Sequence, residues 1–215
     1  MILDNEQKLA FIHIPHCAGS NLKIQLLKNP ERFKVYIPEI IPEEYKSIAD
    51  FNSIDPTLVE LTTPIDHLPA KYTPPEYSSI AFIKNTYHRE VSRYSMLCAY
   101  QNFFNKFYFQ TFKQYLNFVY FTDPNTVFLK TTTGVMRSRG CYDYCYSADY
   151  VYKIEDINDV WSELSKKYNL PKEVWDSRFN VQTKGDWREY YDQECIDIVA
   201  KFRKKDLDAF GYTFA

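Results

Sequence analysis

The chain has 215 residues, of which 45% are hydrophobic and 25% charged, proportions typical of a soluble globular protein. Its formal net charge of −2 excludes a global field that would favour nucleic acid or another polyanion. The length predicts a single domain over residues 1–215 with room for a substantial core. Five cysteines, an odd number, argue against a closed disulfide framework. Cys141 and Cys145 have no histidine near them in the sequence, so we predict no metal site.

The N-terminal segment carries no signal for export or membrane insertion. Residues 1–7 are polar and acidic, without the basic start and long apolar core of a leader peptide. No apolar run is long enough to span a bilayer. We therefore expect a cytoplasmic protein with no membrane span and no nucleic-acid partner.

A strand, a tight loop and a helix are the first elements predicted in chain order. The apolar run from Leu9 to Ile14 stops at Pro15, and Ser20 then opens a segment with leucines on one face. A helix start has unpaired N–H groups and partial positive charge, so it suits a phosphate or sulfate. We expect Ser20 to be the N-cap and to donate its hydroxyl to the anion. The alternative is an ordinary strand-turn-helix connection, and the loop lacks the Lys-Ser/Thr pair of a Walker A motif.

A second strand-to-helix step follows a proline-rich region, residues 38–75, in which we expect irregular structure. An apolar strand is predicted at 79–83, and Lys84 stands at its end. Arg89 and Ser92 are three residues apart and therefore share one face of a helix. Two cations and a hydroxyl beyond a strand end suit a phosphate monoester, although a solvated charged turn is the simpler interpretation.

Apolar spacing predicts the remaining elements. The predicted helices cover 43–51, 91–98, 112–119, 157–168 and 192–210, the last as one helix or a pair; a strand is predicted at Tyr150–Ile154, and 123–149 is predicted to be a mobile substrate loop. Strands that alternate with helices predict an α/β fold with a mostly parallel sheet. Ligands of such sheets bind beyond the carboxyl ends of the strands, where both phosphate segments lie.

Both segments resemble signatures of the PAPS-dependent sulfotransferases, specifically the Golgi-type carbohydrate O-sulfotransferase group and its bacterial and viral relatives. PAPS is 3′-phosphoadenosine 5′-phosphosulfate. The first signature, F-x-H-I-P-K-T-A-G-T-S-L, is similar to Phe11-Ile-His-Ile-Pro-His-Cys-Ala-Gly-Ser-Asn-Leu22. The second, F-x-x-R-[DN]-P-[YW]-x-R-x-x-S-x-Y, is similar to Phe82-Ile-Lys-Asn-Thr-Tyr-His-Arg-Glu-Val-Ser-Arg-Tyr94, with Phe82 offset by one place. Shorter resemblances occur at 67–70, 151–157 and 206–212, so the likeness extends over nearly the whole chain.

The resemblance implies a three-layer, P-loop-kinase-like α/β fold with a mostly parallel central sheet flanked by helices. It implies that the first segment cradles the 5′-phosphosulfate of PAPS, that the second holds its 3′-phosphate, and that no metal is needed. A loop near the C-terminus is expected to bring Lys184 over the 3′-phosphate. The expected donor-binding residues are His16, Cys17, Ala18, Gly19, Ser20, Asn21, Lys84, Arg89, Ser92 and Lys184.

Two histidines are the candidate catalytic residues. His16 replaces a family lysine that the resemblance implies stabilises charge as sulfate leaves, and a protonated imidazole can do the same. His67 is the preferred general base for the acceptor hydroxyl, with Asp66 and Glu60 as alternatives. A structural histidine bonded to backbone is the competing interpretation of His67. At Lys84, lysine in place of the family arginine keeps the charge but loses the bidentate fork.

Three functions are consistent with the sequence. The leading one is transfer of a sulfuryl group from PAPS to a hydroxyl of a carbohydrate or another small acceptor. The second is a PAP- or PAPS-binding module without catalysis, which the changes at His16 and Lys84 suggest. The third is a nucleotide kinase-like phosphotransferase, against which the missing Walker lysine argues.

Overall fold

The structure, a computed structural model, describes residues 1–36, 67–104, 109–121, 139–172 and 185–215. The chain divides into two compact units. Unit 1 comprises Met1–Ile83 with Asp143–Asn180, and unit 2 comprises Lys84–Tyr142 with Val181–Ala215. The single domain over residues 1–215 stays a prediction.

Unit 1 is built on a five-stranded sheet in the order β3-β1-β2-β4-β5. Its strands are β1 (Ile2–Asp4), β2 (Leu9–Ile12), β3 (Phe33–Val35), β4 (Ser78–Ile83) and β5 (Tyr150–Lys153). β2 pairs in parallel with β4, and β4 pairs in parallel with β5. β1 runs antiparallel to both of its neighbours, β2 and β3. The two phosphate segments of the sequence follow β2 and β4, which are neighbours, and both therefore leave the same edge of the sheet.

The α/β class is confirmed, and the sheet is mixed because β1 is reversed. The sequence did not predict β1 and β3, since three residues are too few to establish a period of two. The P-loop-kinase-like layout stays a prediction.

Two helices cover one face of this sheet. They are α1 (Gly19–Leu26) and α5 (Ile157–Tyr168). In a strand, alternate side chains point to the same face, so Phe11 and Ile80 are paired neighbours on that face. They pack in one buried cluster with Leu22 and Leu26 of α1 and Trp161 of α5. Burial of apolar surface stabilises this layer by about 25 cal/mol per Å². It therefore holds the start of α1 above the sheet edge.

Unit 2 is mostly helical in the residues that the structure describes. Its helices are α2 (Thr86–Phe104), α3 (Phe112–Phe121), α6 (Gln193–Phe202) and α7 (Lys204–Phe210). The short α4 (Cys141–Cys145) begins in unit 2, and its last three residues belong to unit 1. Its core is rich in tyrosine and phenylalanine; Tyr94, for example, meets Phe112 edge to face with ring centroids 5.5 Å apart. The aromatic excess of the composition is therefore used largely in packing.

The predicted helices at 91–98, 112–119 and 157–168 are confirmed, and 192–210 forms a pair of helices. The strand predicted at Tyr150–Ile154 ends at Lys153, and a 3-10 turn follows at Ile154–Asp156. The loop prediction for 123–149 is wrong at its C-terminal part, because α4 forms there. The helix predicted at 43–51 and the rest of that loop lie outside the described residues. Among the helices that the structure describes, none has the length and apolar character needed to cross a membrane.

Candidate functional site

The loop between β2 and α1 contains two residues in the left-handed backbone region. His16 has a φ of 67°, and Ala18 has a φ of 57° and a ψ of 13°. A non-glycine residue costs roughly 1–2 kcal/mol in this region, and such conformations concentrate at functional sites. Alternation of handedness along a short loop directs successive N–H groups into a concavity that binds anions. The loop therefore has the backbone form of an anion site.

The start of α1 offers backbone donors to that concavity. None of the described residues accepts a hydrogen bond from the N–H of Ala18, Gly19 or Ser20. Within residues 1–36, no side chain caps the helix, and its first turn carries no acidic residue. Three adjacent donors at the positive end of a helix dipole suit a phosphate or sulfate group.

Ser20 is not the N-cap that we expected. Ala18 is the N-cap, because its left-handed backbone starts the helix at Gly19, two residues earlier than a cap at Ser20 would. The half-buried Ser20 lies in the first turn of α1, where its hydroxyl remains a candidate donor to an anion.

His13 forms the floor beneath this turn. A Cβ added at Gly19 would lie 2.0 Å from Cδ2 of His13 and 2.6 Å from its Nε2. His13 is 6% exposed, and its Nδ1 has no hydrogen-bond partner among the described residues. Position 19 therefore requires glycine for space, and the imidazole supports the helix start from below.

His67 lies against the same imidazole. The rings of His13 and His67 meet edge to face with centroids 4.4 Å apart. Burial first, and then electrostatic repulsion involving His67, the N-terminal amino group, Lys23 and His16, hold the pKa of His13 well below its usual range. His13 is therefore neutral at physiological pH. The structure thus brings Gly19 and His67 against one neutral histidine in unit 1.

The second segment differs from the first at its helix start. Asn85 caps α2: its Oδ1 accepts from the N–H of Tyr87 at 2.9 Å and from that of His88 at 3.4 Å. These first-turn amides are therefore already paired within the chain. Anion binding at this segment has to use side chains, as the sequence predicts.

The three predicted side chains of that segment lie in unit 2. Lys84 precedes α2 and is half-buried, as is Ser92 on the helix. Arg89 is 2% exposed, and its Nη1 donates to the carbonyl oxygen of Arg139 at 3.5 Å. Their role at a phosphate stays a prediction.

A buried charge cluster adjoins this segment. Glu90 is fully buried; it accepts from the Tyr115 hydroxyl at 2.8 Å and from Nε of Arg203 at 2.9 Å, and Nη1 of Arg93 lies 3.4 Å from it. Burial alone would raise the pKa of Glu90, but Arg203, Arg93 and Arg89 outweigh it and hold the pKa well below its usual range. The cluster ties α2, α3 and the α6–α7 junction together.

His88 is half-buried in unit 2. Its ring stacks on Trp187 with centroids 5.8 Å apart and an interplanar angle of 7°. Burial, Lys84 and Arg188 lower its pKa to about 4. The Trp187–Tyr190 turn that covers it was not predicted, because a four-residue 3-10 turn leaves no periodic pattern.

Lys184, Asp66 and Glu60 lie outside the residues that the structure describes, so their roles stay predictions.

In the described ranges, no group of histidine, cysteine and acidic side chains could hold a metal ion. Cys141 and Cys145 are buried free cysteines.

Sequence reasoning missed Lys23 and the Glu90–Arg93–Arg203 cluster. Lys23 is only 7% exposed, and its spacing of four from Gly19 could have placed it on the loop-facing side of α1. Glu90 and Arg93 stand three apart on α2, a spacing that allows a charge pair on one face of the helix. Arg203 is remote in sequence, and nothing local pointed to it.

A search of curated proteins found no match, and a search of solved structures found none either. The sequence model described as "Sulfotransferase family" matches residues 1–213. The chain therefore belongs to the sulfotransferase family.

Proposed function

We propose that this protein transfers a sulfuryl group from PAPS to a hydroxyl group of a carbohydrate or another small acceptor. Membership of the sulfotransferase family supports sulfuryl transfer in general. The observation that carries the proposal is the start of α1, where the N–H groups of Ala18, Gly19 and Ser20 donate to no described residue. Such a group of hydrogen-bond donors fits the phosphosulfate end of PAPS.

The residues present fit that anionic group. Loop residues 16–21 would hold the 5′-phosphosulfate through the three amides and the Ser20 hydroxyl. Gly19 has no side chain to fill the cradle, and His13 leaves no room for one. No acidic side chain in the first turn of α1 would repel the ligand.

The reaction breaks the S–O bond between sulfur and the oxygen bridging to the 5′-phosphate, and PAPS supplies the sulfuryl group when it is bound. The acceptor oxygen forms the new S–O bond, the electron pair of the broken bond stays on the bridging oxygen of PAP, and the acceptor proton passes to a base. His16 and Ser20 are assigned to stabilise the charge on that oxygen. The chain stabilises this charge through preorganised hydrogen-bond donors rather than through covalent chemistry.

His67 is assigned as the base that takes the acceptor proton. Its edge-to-face contact with neutral His13 supports this assignment, because a neutral neighbour does not repel the proton that His67 gains. The buried His13 ring also restricts the orientation of His67.

Lys84, Arg89 and Ser92, with Lys184, are assigned to the 3′-phosphate on the resemblance. The capped start of α2 supports a side-chain mode of binding there, since its Tyr87 and His88 amides are already used by Asn85. A phosphate monoester held by charged side chains would distinguish PAP from AMP.

A thermal-shift panel with PAP, PAPS, ADP and ATP tests the proposal, because a ligand that binds only the folded form raises its stability. PAP and PAPS should raise Tm more than ADP or ATP. A preference for ATP would favour the kinase-like alternative, and no response to any of the four would contradict the proposal. A ³⁵S-transfer screen over glycans, lipids and phenols then separates an enzyme from a binding module.

A further inference from the structure

We propose that Lys23 contacts the anion held by residues 16–21 and supplies the permanent positive charge of that site. The inference rests on the proposed function, because it takes the natural anion to be the 5′-phosphosulfate end of the donor. Lys23 belongs to neither of the two segments from which the site residues were assigned.

The direction of Lys23 follows from the contact between Gly19 and His13. The Cβ direction at Gly19 points straight into the His13 ring, so that face of α1 is turned toward His13. Lys23 follows Gly19 by four residues and lies on the same face. Side chains of a helix lean toward its N-terminus, so the Lys23 stem is directed back toward Gly19 and the edge of the His13 ring.

The burial of Lys23 agrees with this direction. The side chain is 7% exposed, although lysines usually extend their ammonium groups into water. Lys23 is also one of the groups whose positive charge disfavours protonation of His13, which places its charge near that ring. Geometry, burial and electrostatics therefore agree that Lys23 lies on the face of α1 that is turned toward His13, the residue that supports the loop.

The site needs such a charge for a chemical reason. Residues 16–21 are His, Cys, Ala, Gly, Ser and Asn, none of which is permanently charged at neutral pH. When the bond between sulfur and the bridging oxygen breaks, that oxygen keeps the electron pair and its negative charge grows. An ammonium group in hydrogen-bond contact stabilises the leaving phosphate without any proton transfer.

Binding measurements on the full chain test this role. The variant Lys23→Met removes the charge but keeps the apolar stem, and Lys28→Met is the matched control on an exposed lysine beyond α1. Calorimetry gives affinities for PAP and for adenosine 3′-monophosphate, which lacks the 5′ group. Inorganic phosphate is titrated while the NMR signals of the amides at 18–20 are followed.

Lys23→Met should weaken PAP and inorganic phosphate binding about tenfold or more, as expected for loss of a charged hydrogen bond. It should leave the affinity for adenosine 3′-monophosphate unchanged, and Lys28→Met should change none of the three. Adding His16→Lys to Lys23→Met should restore most of the PAP affinity, because the lysine at position 16 places a positive charge next to the same anion.

Unchanged PAP affinity in Lys23→Met would overturn the inference, and so would equal losses for PAP and adenosine 3′-monophosphate, which indicate a structural role. If the wild type binds inorganic phosphate at 18–20 but not PAP, the proposed donor is wrong, and the effect of Lys23→Met on phosphate decides the role of Lys23 by itself. A wild type that binds none of the ligands overturns both proposals.

Discussion

The imidazole of His13 occupies the space that any side chain at Gly19 would need, since an added Cβ would lie 2.0 Å from its Cδ2. This contact joins the end of β2 to the start of α1. It fixes the turn in which the amides of residues 18–20 are presented, so stability and anion binding depend on the same pair.

Gly19→Ala should destabilise the fold by about 1–3 kcal/mol, the usual cost of overpacking. It should also weaken PAP binding, because the turn must move away from His13. The double variant with His13→Ala should recover much of the loss by providing space, and denaturant unfolding of all three variants measures this coupling.

Gly211→Ala is the matched control for that cycle. Gly211 has a φ of 66° and no atom within 4 Å of an added Cβ, so alanine there meets only backbone strain. It should leave PAP affinity unchanged and show no coupling to His13→Ala. Equal coupling at both glycines would rule out the steric explanation.

His67→Ala and His67→Asn should each reduce sulfuryl transfer about 10²–10⁴-fold if His67 is the base. PAP affinity should stay near that of the wild type, and loss of the edge-to-face contact with His13 should by itself cost about 0.5–1.5 kcal/mol of stability. Transfer assays and melting curves on both variants check this. If transfer survives in His67→Asn, or both variants unfold together, His67 is structural and the base lies elsewhere.

His16 should affect turnover more than donor binding. His16→Asn is the informative change, because asparagine tolerates the left-handed backbone at this position but carries no charge. It should lower kcat with little effect on PAP affinity, as should His16→Ala, whereas His16→Lys should keep or raise kcat. An unchanged kcat in His16→Asn would remove His16 from the mechanism.

Lys84→Ala and Ser92→Ala should each weaken PAP binding about tenfold or more, the cost of one charge-assisted hydrogen bond. AMP binding should change little, because AMP has no 3′-phosphate and serves as the internal control. Calorimetric titration of both nucleotides gives the comparison. Equal affinity of the wild type for PAP and AMP would contradict the 3′-phosphate assignment at these residues.

Glu90→Gln should destabilise the protein by about 3–5 kcal/mol, because buried arginines lose their carboxylate partner. The pKa of Glu90 is depressed in the folded state, so its stabilisation is complete above its usual value of 4.5 and declines as the pH falls below it. The wild type should therefore lose stability below about pH 4.5 more steeply than Glu90→Gln does.

His13 contributes a separate pH dependence that begins at a higher pH. Its depressed pKa means that only the unfolded state gains a proton as the pH falls through 6.5, so the folded state loses stability there.

Chemical denaturation of the wild type and Glu90→Gln between pH 3 and 5 isolates the Glu90 contribution. Asp208→Asn, which disrupts an exposed pair with Lys204, is the control and should leave the slope nearly unchanged. Parallel slopes for wild type and Glu90→Gln would contradict the assignment.

The sequence predicted those parts of the molecule that depend on local pattern. The helix at 157–168 follows from its apolar period, and the loop before α1 follows from a strand that stops at Pro15. The prediction of Ser20 as the N-cap was wrong, because an alanine at position 18 gives no indication that its backbone is left-handed. The contact of His13 with His67 and the pairing of Glu90 with Arg203 join residues far apart in sequence, and a local pattern cannot predict them.

The most direct test of PAP binding at the start of α1 is an NMR titration, in which the backbone amide signals of the ¹⁵N-labelled protein are recorded as PAP is added. Donation of a hydrogen bond to a phosphate oxygen moves an amide proton downfield. We predict saturable binding, with the largest downfield shifts at Ala18, Gly19 and Ser20. PAP that saturates the protein while these three signals stay in place, or PAP that does not bind, would contradict the claim that this turn holds the sulfate donor.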